Sequence, residues 1–216
     1  MSKLATYQVN CSSCGKQSDF DAWASINVQL DSELKEKLLK RELFMFKCFY
    51  CGEETSIIYP CLYHDMERKV MIQFCASEGL EESIKGLKKS IEIFEKNFPK
   101  LKEKWSYEYR IVTNLNDLNE KIFIFDSELN DKVIEIIKFS LKCNLKTEKA
   151  IDKLYYSKEK SDGFVVFSGD EIIGRVDIPD GMYTEYEKIY KSLKLKDDEK
   201  YCVNESWAIR IIGANK

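Results

Sequence analysis

The N-terminal quarter of the chain alternates between extended patterns and one helical pattern. Residues 4–10 and 20–30 are predicted to be strands, the second because aromatic and β-branched residues recur along it. Leucines at helical spacing follow Asp31, with glutamates in the first turns and basic residues at the end, which predicts a helix over residues 31–41. Residues 44–47 form another predicted strand.

The next stretch predicts a β-hairpin and a long helix. Over residues 55–63 the apolar side chains fall on one face, residues 70–75 form a second apolar run, and the polar segment between them predicts a turn. Apolar residues then repeat at alternating spacings of four and three from Leu80 to Phe98. This pattern predicts an amphipathic helix, and Pro99 ends or kinks it.

The C-terminal part is predicted to contain both helices and strands. We predict a strand at residues 106–113, helices at 114–122 and 127–143, a hairpin at 163–178, and a helix that begins at Pro179. The hairpin prediction depends on Gly169-Asp170, a two-residue turn signature. Near the end of the chain Trp207, Ile209 and Ile211 alternate with Ala208 and Arg210, which favours a strand over a helix.

Composition and charge describe a globular protein with an acidic balance. Of its 216 residues 44% are hydrophobic and 33% are charged, so the chain can bury a core. The formal net charge of −3 disfavours non-specific nucleic-acid binding, because the phosphate backbone repels an acidic chain. No apolar run approaches the roughly 18 residues of a membrane span, and the N-terminus lacks the apolar core of a signal peptide. We therefore expect a cytoplasmic protein without a membrane partner.

Two matching cysteine pairs carry the clearest chemical signal. They are Cys11-Ser-Ser-Cys14-Gly15 and Cys48-Phe-Tyr-Cys51-Gly52. Two intervening residues let both sulfurs of a pair approach one ion, and the following glycine can adopt the positive φ that the tight turn requires. The sequence therefore predicts one metal site with the ligands Cys11, Cys14, Cys48 and Cys51, and zinc as the ion. Four thiolates fill a tetrahedral site, which predicts a structural and not a catalytic role.

Other chemistries of the paired cysteines stay open at this point. Iron binds to the same two-pair arrangement in rubredoxin-type sites and would permit electron transfer, and two disulfides or separate redox pairs are further alternatives. Reducing conditions in the cytoplasm favour metal or redox chemistry over structural disulfides. The single cysteines Cys61, Cys75, Cys143 and Cys202 are expected to be buried as small apolar residues.

Several linked motifs between residues 11 and 75 resemble the CpXC domain, a bacterial family of uncharacterised function named for Cys-Pro-x-Cys pairs. They are the two cysteine pairs with their glycines, Ser25-Ile26-Asn27, the segments 33–39 and 42–44, and Tyr59-Pro60-Cys61-Leu62-Tyr63-His64-Asp65-Met66 running into Met71-Ile72. Ser12 and Phe49 stand where the family has proline, which donates no ligand. The resemblance implies a zinc-ribbon-like module and brings no reaction and no catalytic residue.

These observations predict an α+β protein with two regions. Residues 1–77 are expected to form the zinc-ribbon-like CpXC domain, an elaborated zinc ribbon built as a small antiparallel sheet with an inserted helix. Residues 78–216 are expected to form a C-terminal α+β region of helices and a β-hairpin, since the character of the sequence changes near residue 77.

No catalytic constellation stands out elsewhere in the sequence. His64 is the only histidine, and we interpret His64-Asp65 as ordinary turn chemistry with local hydrogen bonding rather than as an acid–base pair. The function favoured is a non-enzymatic protein-interaction or scaffold module with an unknown protein partner. The alternatives are a zinc-ribbon nucleic-acid-binding protein and an enzyme with a site in the C-terminal region.

Overall fold

The protein consists of two compact units. The computed structural model describes residues 2–101, 106–146, 148–158, 161–193 and 200–213. The units are Met1–Leu115 and Asn116–Lys216. The sequence-based division after residue 77 followed a change in sequence character, whereas the compact units divide after Leu115, and the α+β class is confirmed.

The first unit combines strands with two α-helices. Its elements are β1 (Lys3–Asn10), β2 (Gln17–Asn27), α1 (Ser32–Leu39), β3 (Met45–Lys47), β4 (Glu54–Ser56), β5 (Cys61–Asp65), β6 (Val70–Phe74), α2 (Leu80–Asn97) and β7 (Glu108–Val112). Short 3₁₀ turns lie at Glu42–Phe44, Ser77–Gly79 and Pro99–Leu101. The helices predicted here are confirmed. The predicted hairpin is confirmed in the antiparallel pair β5–β6. The single strand predicted over residues 55–63 is wrong, because β4 and β5 divide it between two sheets.

Five strands of this unit form one mixed sheet in the order β1-β2-β5-β6-β7. β1 with β2 and β5 with β6 are antiparallel, whereas β2 with β5 and β6 with β7 are parallel. Parallel neighbours need a crossover connection, and α2 lies between β6 and β7 along the chain. β3 and β4 form a separate antiparallel ribbon. The sheet is therefore larger than the small antiparallel one expected.

The second unit packs helices on a three-stranded sheet. Its elements are α3 (Leu115–Asp126), α4 (Asp131–Asn144), β8 (Lys153–Lys158), β9 (Asp162–Ser168), β10 (Glu171–Asp177), α5 (Met182–Ser192) and α6 (Glu205–Gly213). The strands are antiparallel in the order β10-β9-β8. The predicted hairpin around Gly169 is confirmed, with φ +59° at that glycine. β8 has no counterpart among the predicted elements.

The predicted strand at the end of the chain is wrong, since residues 205–213 form α6. The Asn204 side chain accepts a hydrogen bond from the backbone N–H of Trp207 (3.0 Å), which satisfies a free donor at the start of the helix. Trp207 and Ala208 are buried beside Ile136, while Ile209 is exposed. Residues 207 and 211 are four apart, so their spacing fits a helix face as well as a strand face.

A buried ionic network ties α3 to α4. The Lys121 ammonium lies 3.0 Å from Asp131 and 3.1 Å from Glu135, and the Lys138 ammonium lies 2.9 Å from Glu120 and 3.1 Å from Glu135. Glu120 also accepts a hydrogen bond from the backbone of β8. Buried charges of this kind are tolerated because each one is paired.

Candidate metal centre

Two tight turns place the four predicted cysteine ligands. Cys11 and Cys14 lie in the turn between β1 and β2, and Cys48 and Cys51 lie in the turn between β3 and β4. Both turns thus stand at the ends of antiparallel strand pairs. The 33 intervening residues include β2 and α1, so the second pair arrives on its own two-stranded ribbon.

The first cysteine turn has a backbone hydrogen-bond pattern that the second repeats. The Cys11 N–H donates to the carbonyl of Lys16 (2.9 Å), and the Gly15 N–H donates to the carbonyl of Cys11 (2.9 Å). Gly15 has φ +70°, a conformation that costs a residue without Cβ nothing.

In the second turn the Cys48 N–H donates to the carbonyl of Glu53 (2.8 Å), and the Gly52 N–H donates to the carbonyl of Cys48 (2.9 Å). Gly52 has φ +75°. The two C-x-x-C-G units therefore fold in the same way, as their matching sequences predicted.

The four sulfurs converge on one point. All four Sγ atoms lie within 4.8 Å of one another. Cys11 Sγ is 3.6 Å from Cys51 Sγ and Cys14 Sγ is 3.7 Å from Cys48 Sγ, so each short separation joins one pair to the other. A disulfide needs about 2.0 Å. A tetrahedron with metal–sulfur bonds of about 2.3 Å has edges of about 3.8 Å, so these separations suit a shared ion and not a disulfide.

The surroundings of the cluster favour the thiolate of Cys48 and oppose ionisation of Cys51. Burial would raise the pKa of the Cys48 thiol, but hydrogen bonds from the Cys51 backbone, the Ser18 hydroxyl and the Tyr50 backbone lower it to about 6. A backbone hydrogen bond from Glu53 lowers the pKa of Cys51, but burial and hydrogen bonds among the clustered thiols raise it to about 12. Ionising every thiol would place four like charges together, and a thiophilic divalent ion removes that cost.

The donor set fits a thiophilic metal such as zinc or iron. Soft thiolates select these ions over magnesium or calcium. The inner sulfurs, Cys11 and Cys48, are buried against Phe20, Ala22 and Phe46, whereas Cys14 and Cys51 are exposed. One side of the centre is therefore part of the apolar core, and the other is at the surface.

Ser18 contacts the four-cysteine centre, although it lies outside the two cysteine motifs. Its buried hydroxyl lies 3.6 Å from Cys48 Sγ and accepts a hydrogen bond from the backbone N–H of Phe49 (3.2 Å). The signal was present in the alternation of β2, where Ser18 shares the buried face with Phe20 and Ala22.

Tyr59 connects β2 to the segment before β3, at the end farther from the cysteines. Its hydroxyl donates to the carbonyl of Leu43 (2.8 Å) and accepts from the backbone N–H of Trp23 (3.2 Å). The ring packs edge-on against Phe20, with 5.8 Å between the ring centroids. Tyr59 therefore holds β2 beside the segment that precedes β3.

The remaining cysteines lie outside the cluster. Among the described residues only the four paired cysteines group as metal ligands. Cys61 and Cys75 are buried as expected, and burial raises the pKa of Cys61 to about 12. Cys143 is exposed, so the expectation of burial is wrong for it, and Cys202 is half-buried.

Asp65 stabilises the hairpin turn as predicted, whereas His64 lies in β5 and its ring contacts Asn27 and Tyr107, which are distant in sequence and not local partners. The Asp65 carboxylate is buried and accepts hydrogen bonds from the Gln29 amide (2.8 Å) and the Arg68 backbone (2.9 Å). Burial opposes ionisation of Asp65, but these bonds and the Arg68 guanidinium hold its pKa below the usual value. His64 lies 3.2 Å from the Tyr107 hydroxyl, and burial lowers its pKa.

The fold and the site together define an α+β protein with a four-cysteine centre built from two equivalent turns. Comparison with protein families then identifies it more closely. The CpXC protein family model matches residues 9–138, more than half of the chain, and the chain belongs to the CpXC family. The match extends beyond the motifs at residues 11–75 and ends within α4.

Searches among curated proteins and among solved structures find no match. Within the described residues, every helix is too short or too polar to cross a membrane.

Proposed function

We propose that this CpXC protein is a non-enzymatic protein-interaction module whose N-terminal fold is a zinc-ribbon-like scaffold held by one Zn²⁺. The observation that carries the proposal is the convergence of four thiols on one point. Four thiolates complete the coordination of zinc and leave no position for water or substrate, so such an ion stabilises the fold and does not catalyse.

The second cysteine turn presents two aromatic side chains to solvent. Phe49 is 87% exposed and Tyr50 is 56% exposed, and their ring centroids are 5.5 Å apart. The Lys16 ammonium lies 4.6 Å from the centroid of the Tyr50 ring, so the first turn supports the second. Exposed aromatics on a rigid turn suit a protein interface, because aromatic residues are enriched in interface cores.

Local charge favours a protein partner over a nucleic acid. Two lysines near the turns, Lys16 and Lys47, are outnumbered by Asp19, Glu53 and Glu54. Four thiolates with one Zn²⁺ would add a further net charge of −2. A phosphate backbone is repelled by such a surface, which counts against nucleic-acid binding through these aromatics.

The metal and the interaction are tested separately. Elemental analysis of the protein purified without added metal should give about one zinc per chain, and chelation should unfold the first unit. Less than half an equivalent of zinc, or iron in its place, contradicts the zinc scaffold.

For the interaction, the wild type and the F49S/Y50S variant are used to capture proteins from the native host. We expect a discrete partner that the variant loses. F98S, which removes another exposed phenylalanine, is the matched control. Capture that is equal in all three proteins contradicts the role of the second turn.

A further inference from the structure

A cleft lies between β2 and β3, next to the four-cysteine centre. Its volume is about 360 Å³, and residues of β2, β3, α1 and the segment that leads into β3 line it. Tyr59 joins the two walls at one end through Trp23 and Leu43, and Ser18 joins them at the other end through the Phe49 backbone. The cleft is thus a feature fixed by hydrogen bonds at both ends.

One wall of the cleft is an open strand edge. The Trp23 N–H donates to Tyr59 and not to β1. Backbone groups of successive residues in an antiparallel strand point to opposite edges, so Asp19 and Asp21 direct theirs to the same side as Trp23. β5 joins β2 only from Ser25 to Asn27. Within the described part of the chain, no backbone partner meets Asp19 or Asp21 on this side.

The opposite wall, formed by β3, also has backbone groups that face the cleft. The Phe44 carbonyl accepts from Ile57 (2.7 Å) and the Cys48 N–H donates to Glu53 (2.8 Å), so these even-numbered residues face β4. By the same alternation Met45 and Lys47, which line the cleft, direct their backbone groups away from β4. The Met45 N–H is already donated to the Glu42 carbonyl. An added strand therefore finds the Lys47 N–H and the Met45 and Lys47 carbonyls on this wall, and the Asp19 and Asp21 backbone groups on the other.

The side chains at the cleft are acidic in balance. Asp19 and Asp21 accept hydrogen bonds only from the neutral donors Gln8 and Thr6 among the residues that the structure describes. Glu42 also lines the cleft, and none of the ion pairs between described residues includes it. Lys47 is already paired with Glu54 at 2.9 Å, outside the cleft lining. Lys37 and Glu33 also line the cleft, and they pair with each other at 3.9 Å. The carboxylates of Asp19, Asp21 and Glu42 therefore have no cationic partner among the described residues.

We infer that this cleft binds an extended, lysine- or arginine-rich segment of a protein partner, which adds as a strand to the open edge of β2. Strand addition supplies main-chain hydrogen bonds, and alternate side chains supply specificity. Basic residues at every second position face one side of the added strand and meet Asp19 and Asp21, which are also two residues apart. The inference rests on the proposed interaction function and names its partner chemistry.

The test uses the 216-residue chain loaded with zinc and a labelled short peptide of alternating lysine and valine. Fluorescence anisotropy should show saturable binding that weakens with added salt. D19N/D21N keeps a side-chain acceptor at both positions, and we expect it to weaken binding about five- to tenfold, as for the loss of two exposed charge pairs. E81Q/E82Q removes the same charge from the exposed face of α2 and should leave the affinity unchanged.

Two further peptides test strand addition. A glutamate–valine peptide should not bind, and a lysine–valine peptide N-methylated at alternate residues should bind at least about tenfold more weakly, because it cannot donate to the strand edge. Equal weakening in D19N/D21N and E81Q/E82Q overturns the inference, as does unchanged binding after methylation. A dimer of the wild-type chain that D19N/D21N dissociates, without peptide binding, means that a second copy occupies the edge and also overturns it.

Failure of the cleft inference can be distinguished from failure of the proposed interaction function. Asp19 and Asp21 lie in the cleft, whereas Phe49 and Tyr50 lie outside its lining. Loss of host-partner capture in F49S/Y50S together with an absence of peptide binding keeps the interaction module and rejects the cleft. Peptide binding that persists while F49S/Y50S captures partners normally supports the cleft and rejects the aromatic turn.

Discussion

Replacing Cys48 by serine tests the scaffold most directly. Cys48 is only 1% exposed, and its sulfur lies 3.7 Å from Cys14 Sγ. Loss of this ligand should release the proposed zinc ion. A metal present at a thousand times its dissociation constant stabilises the folded state by about 4 kcal/mol. With an unfolding entropy of about 2.1 cal/mol/K per residue over the 115 residues of the first unit, this loss lowers the melting temperature by about 17 °C.

The assay combines zinc analysis with thermal unfolding and hydrogen exchange. C48S should lose its zinc, melt at the lower temperature and exchange faster throughout the first unit, as should the chelated wild type. C61S is the matched control, because Cys61 is also 1% exposed and makes the same thiol-to-hydroxyl change outside the cluster. Full zinc retention in C48S, or equal zinc loss in C61S, would refute the assignment of Cys48 as a ligand.

Three other substitutions test the surrounding structure. D65N should cost about 1–3 kcal/mol at pH 7 in chemical denaturation, because it weakens a buried charge-assisted turn. The pKa of Asp65 is lowered in the folded state, so its contribution is present above the unfolded value of about 3.9 and is lost as the pH falls through the lower folded value. A D65N deficit that does not shrink as the pH falls below about 3.9 contradicts this. K121M should cost about 3–5 kcal/mol, because the buried carboxylates of Asp131 and Glu135 each lose a cation, whereas K149M, at an exposed ion pair, should cost less than about 1 kcal/mol. Y59F should cost about 1–3 kcal/mol in denaturant titration, because Trp23 and Leu43 lose a shared partner; an unchanged stability would show that this bridge is not needed.

The cysteine centre was predictable because its signal is local. Two C-x-x-C-G units specify two similar turns, and the structure confirms that they meet. Regular amphipathic spacing likewise predicted α2 and α4, and the Gly169-Asp170 signature predicted the β9–β10 hairpin. In each case residues close in sequence determine the element.

Features that depend on residues far apart in sequence were not predictable in this way. The parallel pairing of β2 with β5 joins Ser25 to Leu62, and no local pattern encodes that register. The last helix was mistaken for a strand because Trp207 and Ile211 fit either period, and the prediction did not take account of Asn204, whose side chain caps the helix. The cleft beside the four-cysteine centre is lined by β2, α1 and β3, so it forms only when segments distant in sequence come together.

The departure from the family motif at Phe49 has a structural consequence. A proline at this position would have no N–H, yet the Phe49 N–H donates to the Ser18 hydroxyl, which also lies beside Cys48 Sγ. Proline would restrict the backbone of the second turn, whereas here a hydrogen bond from the Phe49 N–H connects this turn to β2. The same substitution places an 87% exposed aromatic ring at the surface. Phe49 thus connects the four-cysteine centre to the aromatic surface proposed for binding. Loss of the proposed metal should therefore disorder the second turn and also weaken binding through this surface.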